Sequence, residues 1–96
     1  MGSLFGQVQR AVREDRYLFS DHADNMLRER GIVHWQIVEG VARAQLLSER
    51  PATKPNPTVE LEQTLPDGTP VKAIWAYVTS LDMAKLVTVH FFDGGP

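Results

Sequence analysis

Three prolines within seven positions, Pro51, Pro55 and Pro57, each remove a backbone donor and fix a φ angle, so neither a helix nor an interior strand can run through residues 51–57. The segment reads as an extended, solvated loop that divides the chain into stretches of different hydrophobic period. Apolar residues recur at helical spacing before it and alternate in β-rich runs after it. The 96 residues bury too little surface for two independent cores, so the expectation is one domain over 1–96: mainly helical over 1–50, a loop over 51–57 and antiparallel strands over 58–92.

In the first stretch, Leu4, Phe5, Val8, Ala11 and Val12 form an apolar stripe opposite Gln7, Arg10, Arg13 and Glu14, which predicts an amphipathic helix over about 3–15. A break over about 16–20 follows, because Tyr17-Leu18-Phe19 is too short for a helix and Ser20 or Asp21 supplies a capping oxygen for the next one. That second helix, about 21–30, places Ala23, Met26, Leu27 and Arg30 along one side and stops at Gly31. A third is expected from His34, with Ile37, Val38, Val41 and Ala42 on its stripe, ending before Pro51; Gly40 weakens it by ~1 kcal/mol relative to alanine.

Beyond the prolines, Thr58–Leu65, Val71–Thr79 and Lys85–Phe92 carry β-branched and aromatic residues, with Pro66-Asp67-Gly68 and Ser80-Leu81-Asp82 as turns between them. Connections this short predict an antiparallel meander. Val59, Leu61 and Leu65 oppose Glu60, Glu62 and Thr64, and Val87, Val89 and Phe91 oppose Thr88 and His90, so one sheet face is apolar and the other polar. The middle strand is apolar on both sides, which leaves its register open. The fold class is α+β, two or three N-terminal helices packed on a C-terminal antiparallel sheet of three or four strands.

Composition removes several function classes. A charge of −2 and a pI near 5.8 give no general attraction to phosphates, so any nucleic-acid contact must come from a local patch. The absence of cysteine excludes disulfides, thiolate metal sites and a cysteine nucleophile, which fits a reducing compartment. The first residues lack the apolar run of a secretory signal, and no later stretch reaches the ~20 apolar residues of a membrane span; the expectation is a cytoplasmic protein with no membrane association. The histidines at 22, 34 and 90 have no metal-ligand spacing, and the phosphate-loop, dinucleotide and nucleophile-elbow motifs are absent, so no metal and no cofactor is expected.

His22 follows Ser20-Asp21 at a helix start, where the positive end of the dipole favours the neutral imidazole that can act as a base; the competing reading is a histidine that only packs at the helix entrance. Arg28 and Arg30, near the end of the same helix, can satisfy its last carbonyls or present guanidinium groups to a phosphate. Strand alternation places His90 with Thr88 on the polar face, where Lys72 can join them if the register allows. Trp35 can stack on a base or a partner, whereas Trp75 reads as core.

The run Tyr17-Leu18-Phe19-Ser20-Asp21-His22-Ala23, followed by Glu29-Arg30-Gly31-Ile32 and by the late element Leu86-Val87-Thr88-Val89-His90, resembles the small bacterial family called domain of unknown function 4258, over residues 15–92. The resemblance implies a fold like the RelE and barnase group and a role as a toxin-type ribonuclease, often beside a zinc-finger antitoxin. His22 and Arg30 match the family pattern by position, but the arginine usual four residues past the histidine is Met26 here, which removes a phosphate-binding cation. Arg28 cannot stand in for it, since two residues rotate a side chain by about 200°.

Two functions follow as expectations. The first is a metal-independent ribonuclease toxin of a toxin–antitoxin system, acting on RNA and held by an antitoxin protein. In it His22 is general base or acid, Arg30 and Arg28 hold the phosphate, His90 is the complementary acid or base, and Lys72 and Trp35 bind substrate. The second is a non-catalytic protein-interaction domain that keeps the same fold and binds a protein partner through the sheet face or the Trp35 helix, favoured by Met26 and the negative charge.

Overall fold

In the computed structural model, which describes residues 3–92, three helices and a five-stranded mixed sheet form an α+β fold. Ser3 starts α1 (Leu4–Arg13), its Oγ accepting from Gly6 N at 2.9 Å, and the helix buries Val8, Ala11 and Val12 as its periodicity requires. After β1 (Tyr17–Phe19), Ser20 caps α2 (Asp21–Arg30), which ends at Gly31 in the left-handed conformation, φ 69°. Then follow α3 (His34–Glu39), β2 (Gln45–Arg50), β3 (Thr58–Thr64), β4 (Pro70–Val78) and β5 (Met83–Phe91).

The strands lie in the order β1-β5-β4-β3-β2, antiparallel except for β1, which runs parallel to β5. The sheet therefore differs from the expected three or four antiparallel strands at both edges. Tyr17–Phe19, expected as a break, gains its strand hydrogen bonds from Ala84–Leu86, far away in sequence. The third helix, expected to approach Pro51, stops at Glu39; Gln45–Arg50 pairs with Thr58–Glu62 across the proline loop. A ladder with β3 satisfies backbone groups that a further helical turn would have served within the segment, so tertiary pairing overrides propensity there.

The open register of β4 resolves with Val71, Ala73, Trp75 and Tyr77 toward the helices, level with Leu61 and Val59 of β3. In β5 the expected alternation breaks at Val87, which is left without a partner where Trp75 pairs with Leu86 and Ile74 with Thr88. Leu86, not Val87, enters the core beside Val89. One contiguous core joins these residues to Val8, Ala11, Ala23, Leu27 and Ile37 of the helices.

Two polar networks fix the layers. Gln63, 1% exposed, accepts from Trp75 Nε1 at 2.9 Å and donates to the carbonyl of Ile37 at 2.8 Å, tying the end of α3 to the middle of the sheet. At the opposite margin, Asp82 accepts from Tyr77 Oη and pairs with Arg16 at 3.0 Å, clasping the β4–β5 turn to the chain between α1 and β1.

Candidate functional site

The position of His22 follows from the bulge in β5. Ser20 N donates to Leu86 O at 3.0 Å, and Ser20 Oγ accepts from Ala23 N at 3.0 Å while donating to the carbonyl of Val87 at 3.1 Å. One serine thus caps α2 and moors its first turn to the unpaired bulge residue. Two residues on, His22 Nε2 lies 3.2 Å from Thr88 Oγ1 and is hydrogen-bonded to it. The imidazole is solvent-exposed, whereas Thr88 is only 9% exposed.

From Thr88 a row of polar side chains crosses the sheet face turned away from the helices. His90 lies two residues further along β5, about 7 Å at strand rise, and pairs in register with Lys72 of β4. Lys72 Nζ is 3.4 Å from Glu60 Oε1 of β3, and Glu60 Oε2 accepts from Arg50 Nε of β2 at 2.9 Å. Glu60 is the most covered charged member, its side chain 13% exposed, so its charge is held between two cations. By strand parity this face carries Arg50, Lys72 and Lys85 against Glu60 and Glu62, an excess of one positive charge on a chain of net charge −2.

Arg30 borders the same seam between α2 and β5. His22, Met26 and Arg30 recur every four residues on one flank of α2. Arg30 Nη1 is 3.1 Å from Met26 Sδ, and its guanidinium carbon stands 5.8 Å from the centre of the Phe91 ring. Its Nε is buried with no hydrogen-bond partner, and no carboxylate of the described residues forms a salt bridge with it. A half-buried cation left with a thioether and an aromatic face is under-compensated, the electrostatic condition for accepting an anion.

The structure brings four of the six candidate residues to this region: His22 and Arg30 on α2, Lys72 and His90 on the open face. It sets the other two apart. Arg28 Nη1 donates to Asn25 Oδ1 at 3.3 Å and, with Trp35, lines a groove beside α3, in the helical layer on the other side of the sheet. Six residues separate Arg28 from His22, a rotation of about 240° around α2, so it points away from the seam.

Three members of the row, Thr88, Glu60 and Arg50, escape a reading of the sequence as candidates. Thr88 becomes the partner of His22 only through a contact spanning 66 positions, and Glu60 joins Lys72 to Arg50 only once the register is known. Alternation did mark Thr88 and Glu60 as polar-face residues, the one available signal. Among the described residues no three His, Asp or Glu side chains gather as metal ligands, and no helix is long and apolar enough to cross a membrane.

No curated protein and no solved structure matches this chain. A family model described as "Domain of unknown function (DUF4258)" matches residues 19–91, from the last residue of β1 to the last of β5. The match takes in His22, Arg30, Lys72 and His90, the β5 bulge and the whole polar row from Arg50 to Thr88. Because the model covers well over half of the 96 residues, the chain belongs to the DUF4258 family.

Proposed function

We propose that the protein is a metal-independent ribonuclease of the toxin type, with a RelE-like fold, acting on RNA in the cytoplasm and held in check by an antitoxin protein. The observation that carries the reading is the seam itself: an exposed imidazole anchored on Thr88, a second imidazole two residues along the same strand, and an under-compensated guanidinium on the same helix flank.

These groups match what cleavage of an RNA backbone demands. A base takes the proton of the ribose 2′-hydroxyl, whose oxygen attacks the adjacent phosphorus; a cation steadies the charge of the phosphorane; an acid protonates the departing 5′-oxygen. One imidazole of the pair His22 and His90 takes the first role and the other the third, with Arg30 and Lys72 on the phosphate. The Thr88 hydroxyl orients the His22 ring through Nε2 and leaves its other nitrogen for the substrate. Lys72 is half-neutralised by Glu60, so Arg30 is the stronger anion partner and takes over the charge that Met26 does not supply. Arg28 and Trp35 stand outside this assignment because their groove lies on the helical side.

The test is cleavage of a uridine-rich RNA by the purified chain in the presence of a chelator. Products ending in a 2′,3′-cyclic phosphate are expected, with the rate falling by about 10²-fold or more in His22→Ala and in His90→Ala. Equal cleavage by the parent and both variants, or none by the parent, refutes the proposal. Growth arrest on induction, relieved by an antitoxin from the neighbouring gene, tests the cellular half.

A further inference from the structure

Two large apolar side chains stand exposed away from the seam, at the corner between α2 and α3. Val33 and Trp35 are each 54% exposed, although Leu27, Ile32, Val38 and Val41 around them are sheltered in the core or its margin. Trp35 forms a ridge between two grooves. The larger, about 1000 Å³, runs between α1, α3 and the β3–β4 turn, over Val12, Val38, Val41 and Leu65; the smaller, about 520 Å³, is floored by Leu27 and Ile32.

The ridge is rigidly mounted. His34, the residue before Trp35, holds Asp24 Oδ1 at 2.8 Å and packs against Phe19 with the rings tilted and their centres 4.2 Å apart, and Gln63 anchors the other end of α3 through the carbonyl of Ile37. Three exposed arginines rim the grooves, Arg13 and Arg43 on the larger and Arg28 on the smaller, and none of them forms a salt bridge among the described residues. Of the two carboxylates in the linings, Asp24 is already taken by His34, which leaves Glu39.

From this we infer that the Trp35 ridge docks an acidic amphipathic peptide segment of a partner protein, whose apolar side chains fill the two grooves while its carboxylates meet Arg13, Arg43 and Arg28. Apolar floors with a cationic rim call for a ligand that is apolar at intervals and negative between them. A single-stranded nucleic acid would bring negative charge and a base to stack on Trp35, but no aliphatic side chains to fill the two apolar-floored grooves on either side of it. The inference is independent of the catalytic reading, since no residue of the polar row lines either groove.

The chain carries its own reporter. Trp75 is fully buried, so a ligand that covers the ridge shifts only the emission of Trp35 to shorter wavelength. The probes are a synthetic peptide with Leu and Phe at helical spacing between Asp and Glu, its counterpart with Lys in place of the acids, and oligouridylate. The acidic peptide is expected to shift the emission, with affinity falling about tenfold in Arg13→Glu/Arg43→Glu and falling further with added salt. Trp35→Ala, at an exposed position, is expected to keep the circular dichroism spectrum and lose peptide binding in calorimetry. No shift with the acidic peptide, an equal shift with the lysine counterpart, a shift with oligouridylate alone, or undiminished binding by Trp35→Ala each overturns the inference.

Discussion

Among the described residues, Gln63→Leu removes the one side chain that joins the sheet to α3 through hydrogen bonds in the core. Its amide serves two buried groups, the indole Nε1 of Trp75 and the carbonyl of Ile37, and both lose their partner at a residue only 1% exposed, where water has no access. Each orphaned group costs about 1–3 kcal/mol, or about 2–6 kcal/mol for both. A buried leucine of similar size returns roughly 1.5–3 kcal/mol of transfer energy, so the expected net loss is about 2 kcal/mol. With a urea slope near 1 kcal/mol/M for a chain of this size, the unfolding midpoint should fall by about 2 M at unchanged slope. Far-ultraviolet circular dichroism reports the transition in every variant, and emission of the buried Trp75 reports it wherever that residue is kept. In a Trp75→Phe background one of the two orphans no longer exists, so the same change should cost about 1 kcal/mol less, a coupling that a double-mutant cycle measures directly. An unmoved midpoint, or strict additivity with Trp75→Phe, refutes the bridge.

Gly40 lies beside the same amide: a Cβ there would stand 2.7 Å from Gln63 Nε2 and 3.3 Å from Gln36 O, so Gly40→Ala should cost about 1–3 kcal/mol in denaturant melts although its φ of −68° suits alanine. Ser20→Ala strips the cap of α2 and its tie to Val87, and should lower stability by about 1–2 kcal/mol while broadening the NMR signals of His22, whose hold on Thr88 depends on that tie. Tyr77 and Arg16 hold the Asp82 carboxyl below its ordinary range, and the hydrogen bond to Asp82 raises the Tyr77 phenol. The Asp82 contribution is therefore present above the unfolded carboxylate pKa and lost as pH falls through the depressed folded value. The Tyr77 contribution is present below the ordinary phenol pKa and lost as pH rises through the raised one. Asp82→Asn should flatten both limbs of a plot of urea midpoint against pH, and an unchanged plot counts against the clasp.

The parts of the fold legible in the sequence were those whose signal is local. Val8, Ala11 and Val12 mark α1 by period, Ser20 and Gly31 bracket α2, and turn residues at 66–68 and 80–82 separate the three long strands. Both missed strands are edges whose partners lie elsewhere in the chain. Tyr17–Phe19 is too short to show a period, and Gln45–Arg50 is built of helix-tolerant residues with a register shift at Leu47 that hides any alternation. The site divided in the same way. His22 could be read from its cap, and His90 from strand parity, because each depends on its own neighbours. The bulge at Val87, the Thr88 contact and the bare setting of Arg30 depend on β5 meeting α2 across more than sixty positions, which no local pattern encodes.

The most direct test of the site is an NMR titration of the parent chain with a 2′-deoxy oligonucleotide, which offers the phosphates of RNA but no 2′-hydroxyl to attack. The account predicts that the imidazole signals of His22 and His90 and the Nε–H of Arg30 move together along a single binding curve, while the Trp35 indole stays in place. Movement of Trp35 with the three seam residues silent, or separate curves for His22 and His90, would contradict it.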